Sequence, residues 1–131
     1  MRIVVAVIEK NNHILITRRA FESHYGGFWE LPGGKVEEHE ASFSALQREL
    51  HEELNLIVDE AKLVGCVSTE AREFVIYLVT DYVGVPVLRA KQLEMAWVKR
   101  KDLTSYAFPP INHYLFEKLN ACNADSDIEI I

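Results

Sequence analysis

Residues 31–54, LPGGKVEEHEASFSALQRELHEEL, set the strictest limit on what this chain folds into. Pro32, Gly33 and Gly34 break any regular element, so a loop is expected over residues 32–40. From Ser42 onward the period changes. Phe43, Leu46, Leu50 and Leu54 recur at three- and four-residue steps, which predicts a helix over Ser42–Leu54 with one apolar stripe. Asn55 suits its end, because Asn tolerates the left-handed conformation that closes many helices.

The same segment carries Glu37, Glu38, Glu40, Glu49, Glu52 and Glu53. Like charges one helical turn apart cost roughly 0.2–0.5 kcal/mol per pair. At about 100° per residue, Glu49, Glu52 and Glu53 fall on one arc beside the apolar stripe, so their carboxylates are able to converge. A solvated acidic face is the plain reading. Against it, only Lys35 and Arg48 offset the acids, and no Lys follows at the favourable four-residue step. Hard divalent cations choose oxygen ligands, and Mg2+ uses a few carboxylates with water and substrate phosphates. Gly33 and Gly34 allow the backbone to approach a metal or a phosphate. Arg48 is expected to brace a neighbouring carboxylate or the loop, and Glu40 to approach the helix arc from the loop junction.

The rest of the chain supplies the layer that this helix covers. RIVVAVI and HILITRR read as strands joined by the turn KNN, and FESHYGGFW as a loop. KLVGCVST, REFVIYLVTDYV and EMAWV read as further strands. KRKDLTSYAFPP is a connection, INHYLFEKLNA a second amphipathic helix, and residues 122–131 a loose polar tail. Strands mixed with two separated helices predict an α/β domain with helices on a central mixed sheet. With 131 residues, 49% of them apolar, one domain over 1–131 is expected. The net charge of −6 argues against a nucleic-acid polymer as partner. No run is long enough to span a membrane, and the apolar start is too short for a signal peptide. Cys66 and Cys122 have no metal-type or redox-type spacing, so a reduced cytoplasmic setting is the default. Cys66 lies in an apolar run and is expected to be buried.

GKVEEHEASFSALQRELHEELNL, residues 34–56, resembles the signature of the Nudix hydrolase family. Gly34, Glu40, Arg48, Glu49, Leu50, Glu52, Glu53 and Leu56 match in register; Asn55 stands where the family has Gly. ITRRA, WELPGGK and FPPIN resemble the MutT-type branch of that family, which sanitises nucleoside triphosphates. The resemblance implies a Nudix-type α/β/α sandwich. It implies Mg2+ or Mn2+ held by Glu49, Glu52, Glu53 and the Gly33 carbonyl, with Glu40 assisting the metal or the attacking water and Arg48 orienting the carboxylates. It implies hydrolysis of a nucleoside triphosphate to the monophosphate and pyrophosphate, with 8-oxo-dGTP or a related oxidised purine nucleotide as substrate. Substrate contacts would come from Arg19, His24, Glu30, Leu31, Pro32, Gly33 and Asn112. Trp29 and Phe108 are candidate apolar walls or simple packing residues. Asn112 either reads a purine edge or caps the last helix. Many relatives have a glutamate at the position of Lys91, which leaves the general base open, with Glu94 a candidate. The alternatives are a Nudix hydrolase of another nucleotide (CTP, a dinucleoside polyphosphate or a nucleotide sugar) and a nucleotide-sensing domain without turnover. Either a monomer or a homodimer is compatible with the sequence.

Overall fold

The computed structural model describes residues 1–122; of the loose tail expected over 122–131, residue 122 ends the last helix and the rest lies outside the described residues. Strands β1 (Arg2–Lys10) and β2 (His13–Arg18) form a hairpin. Asn11 and Asn12 both take positive φ, 51° and 62°, as a two-residue hairpin turn matched to strand twist requires. Then follow β3 (Trp29–Glu30), β4 (Gly33–Lys35), α1 (Ser42–Leu54), β5 (Ile57–Ser68), β6 (Glu73–Val83), β7 (Met95–Lys99), a 3-10 helix (Arg100–Ser105) and α2 (Ile111–Cys122).

The sheet is mixed. Its main path runs β3-β2-β1-β6-β5, with β4 on β1 and β7 on β2. The β1–β6 pair is parallel and every other pair is antiparallel. Alternation along β1 divides the interior in two. Val4, Ala6 and Ile8 pack with Ala45, Leu46, Leu50 and Leu54 of α1. Val5 and Val7 face the other way, onto Leu115, Phe116 and Leu119 of α2. The Val-Val-Ala-Val-Ile run is apolar on both faces because a helix covers each, as strands central to an α/β/α sandwich demand.

Helix α1 has the predicted limits. Asn55 ends it at φ 59°, its amide donating to His51 O. Two expectations are corrected. Residues 33–35 are a strand, because their backbone groups pair antiparallel with Ile3–Val5 of β1. A Cβ at Gly33 would run into the Val4 carbonyl, so glycine is what permits this approach. Cys66 is exposed, not buried. It pairs with Val75 on the edge strand β5, where the irregularity at Leu63–Gly65 shifts the inward-outward alternation.

Candidate active site

The loop-to-helix junction is organised around Arg48. Its guanidinium grips Glu40 at two points, Nε to Oε2 at 2.9 Å and Nη2 to Oε1 at 3.0 Å. Nη1 donates to Glu49 at 2.9 Å and to Glu52 at 3.4 Å, and Nη2 also donates to the Lys35 carbonyl at 3.0 Å. A planar fork of five N–H donors is the side chain able to serve so many acceptors together. The Arg48 hydrogen bonds hold the Glu40 carboxyl down at about 2, with help from the Glu37 backbone.

Glu53 is the opposite case. Burial pushes its carboxyl up to about 9, and the neighbouring charges of Glu49 and Glu30 add to the effect; a hydrogen bond from the Gly33 backbone opposes it. Its Oε2 is buried with no hydrogen-bond partner. Glu49 lies so close to Gly34 that any Cβ there would overlap its carboxylate. Glycine at this position of β4 is therefore what admits Glu49 to the site. Glu52 points outward and is 57% exposed. Among the described residues, no three Asp, Glu, His or Cys side chains form a ready cation cage.

A cavity of about 590 Å³ opens beside Glu53. Of the residues expected to touch substrate, Arg19, His24, Glu30, Leu31, Gly33 and Asn112 line it. Arg19 Nη1 pairs with Glu30 at 2.6 Å while its Nε donates to the His24 carbonyl at 2.7 Å, which ties the loop to β3. Burial raises the Glu30 carboxyl against the pull of Arg19. Asn112 is buried and sits inside the first turn of α2, so it is not the residue preceding the helix where a cap would act.

Pro32 is not part of the cavity wall. It is buried, and its carbonyl is taken by the Ala6 amide at 2.8 Å. Trp29 and Phe108 are packing residues, edge-on to Tyr106 and Phe116 at 5.1 and 5.2 Å. The apolar wall comes instead from Phe74, Ile111 and Leu115, which the core pattern of their elements conceals in the sequence. Glu94 bonds Arg18 at 3.0 Å and does not line the cavity, whereas Lys91 and Gln92 do. Nothing in the residue types around Gln92 marks it beforehand.

The residues present fit a divalent cation. Mg2+ binds through one or two carboxylates plus water and substrate phosphates. Glu53, with an orphaned buried oxygen, and Glu49 beside it supply that hard-oxygen pair, and a bound cation would offset the burial and the neighbouring charge that raise Glu53. Glu52, expected as a further ligand, points outward and accepts from Arg48 at 3.4 Å.

The site thus sets Glu53, with Glu49 and Arg48 beside it, at the wall of a cavity of about 590 Å³ on an α/β/α frame. The model of the NUDIX domain family matches residues 1–125, and the chain belongs to that family. It is 31% identical to the CTP pyrophosphohydrolase of Escherichia coli K12, over 95% of this chain and 94% of that one. It is 34% identical to the 8-oxo-dGTP diphosphatase of Haemophilus influenzae, over 88% of this chain and 89% of that one. Among solved structures, one from a study of MutT of Aliivibrio salmonicida and Vibrio cholerae superposes with a TM-score of 0.81 at 36% identity, covering 92% of this chain and 98% of that one.

Proposed function

We propose that this protein is a divalent-metal-dependent nucleoside triphosphate pyrophosphohydrolase that converts 8-oxo-dGTP, or a related oxidised purine nucleotide, to the monophosphate and pyrophosphate. The observation that carries the reading is one cavity lined by both Glu53 and the buried Asn112. The phosphate chain would lie toward Glu53 and the base toward Asn112, whose carboxamide offers both a donor and an acceptor to a purine edge.

Mg2+ or Mn2+ would be held by Glu53 and Glu49, joined by Glu52 and the Gly33 carbonyl. When bound, the cation neutralises phosphate charge and acidifies water. Arg48 holds Glu49 and Glu40 in place, so these carboxylates are arranged before substrate arrives. Water adds to one phosphorus of the phosphoanhydride, that phosphorus's bond to the bridging oxygen breaks, the bridging oxygen leaves with the bonding pair on the other product, and a carboxylate of the site takes the water proton. Arg19, fixed by Glu30 and the His24 carbonyl, presents a cation at the cavity wall for the nucleotide.

CTP is the second reading, supported by the E. coli CTP pyrophosphohydrolase, whose similarity extends over nearly the whole chain. A panel of nucleoside triphosphates assayed with Mg2+ tests both. The highest kcat/KM is expected for 8-oxo-dGTP. A preference for CTP replaces the substrate claim and leaves the hydrolase intact, and no metal-dependent turnover of any nucleotide overturns it.

A further inference from the structure

Gln92 has a buried side-chain oxygen, Oε1, with no hydrogen-bond partner. It lines the same cavity as Glu53, whose Oε2 is orphaned in the same way. A buried amide oxygen without a donor is costly, and native proteins rarely tolerate one unless something bound completes it.

The segment that carries Gln92 is tied at both ends. The Arg89 amide donates to the carbonyl of Glu53 itself at 2.8 Å, and Arg89 Nη1 bonds Asn55 Oδ1 at 2.6 Å. On the other side, the Leu93 amide donates to Arg18 O, and the Arg18 amide to Glu94 O, both at 2.9 Å. Gln92 is therefore held between the end of α1 and the end of β2, in the wall of the cavity that Glu53 also lines. The missing partner must be a hydrogen donor, and hydrolysis in this cavity uses one, the attacking water.

We propose that Gln92 is a positioning residue for hydrolysis, its Oε1 accepting one O–H of the nucleophilic water. This rests on the pyrophosphohydrolase reading. A water has two O–H groups. One donated to Gln92 leaves the other for a carboxylate, and directs an oxygen lone pair toward phosphorus. The neutral amide takes no proton, so Gln92 orients the water and does not act as the base.

The test compares Gln92→Leu with wild type in three measurements. These are the single-turnover rate on the best triphosphate of the panel, Mn2+ affinity by electron paramagnetic resonance, and affinity for a non-hydrolysable α,β-methylene triphosphate. The expected result is a rate lowered by roughly 10²-fold, the scale of a misplaced reacting group. Both affinities should stay within about twofold, and the apo melting temperature should not fall, since the substitution removes an unpaired buried oxygen. Gln92→Asn, which keeps the amide but withdraws it by one methylene, should give an intermediate rate. The proposal is overturned by a rate within about twofold of wild type, by a tenfold loss of Mn2+ affinity, or by a loss of analogue affinity that matches the loss in rate. A clear drop in melting temperature also overturns it, because it would show that the amide serves the fold. Wild-type protein with no metal-dependent turnover would instead refute the underlying hydrolase reading.

Discussion

Arg48 and Glu40 meet at two points across the junction of loop and helix, with Arg48 Nε 2.9 Å from Oε2 and Nη2 3.0 Å from Oε1. Both side chains are largely covered, at 24% and 17% exposure. The same guanidinium reaches Glu49, so one side chain couples the loop to the acidic face of α1. Lysine keeps the charge but not the fork. Arg48→Lys is expected to lower the unfolding midpoint, because the paired hydrogen bonds to Glu40 and those to Glu49 and Lys35 cannot all be replaced by one ammonium, and to remove most metal-dependent turnover. Urea unfolding and a steady-state assay check this; an unchanged unfolding midpoint would dismiss the bracing role.

The depressed Glu40 carboxyl also predicts an acid response. Its folded value of about 2 lies below the unfolded value of 4.5, so its contribution is fully present above pH 4.5 and is lost as pH falls toward 2. Glu40→Gln should show a shallower decline in melting temperature over that acid range than wild type. Parallel declines in the two proteins would assign acid sensitivity to other groups.

Glu53 has the reverse sign. Its folded carboxyl, near 9, holds a proton that the unfolded chain releases near 4.5. The apo protein should therefore lose stability through this group as pH rises from about 4.5 to 9, and Glu53→Gln should flatten that slope. Mg2+ should raise the melting temperature of wild type at pH 8 more than that of Glu53→Gln, because binding to the native state stabilises it. Turnover of the variant at limiting Mg2+ should fall by roughly 10- to 100-fold or more. Equal Mg2+ shifts in both proteins would mean that Glu53 holds no cation.

Asn112 distinguishes a purine-reading enzyme from a general one. Asn112→Ala should lower kcat/KM for 8-oxo-dGTP by about 0.5–1.5 kcal/mol, or roughly 2- to 13-fold, the scale of a lost hydrogen bond. A pyrimidine triphosphate should be affected less, and Mg2+ dependence should persist. Thermal melting is the companion measurement: a uniform loss across nucleotides with a lowered melting temperature would assign Asn112 to the fold.

What the sequence determined by itself was local. The limits of α1, its stop at Asn55 and the Asn11–Asn12 turn follow from side-chain periodicity and backbone preference within a few neighbouring residues. The acidic arc was legible for the same reason, since helical geometry places Glu49, Glu52 and Glu53 without reference to the rest of the chain. Their unequal fates were not. Glu52 is outside while Glu53 is buried against Glu30 and Gly33, because burial is set by what other segments lay over the helix. Gly33–Lys35 became a strand only because β1 was there to pair with it, and Pro32 lost its carbonyl to Ala6 by the same pairing. Cys66 escaped the core because the irregularity at Leu63–Gly65 shifts the alternation of its strand, and that irregularity arises in the pairing with β6. Gln92 reaches the cavity through ties to Glu53 and Arg18, and those contacts form only when segments far apart in the chain are packed together.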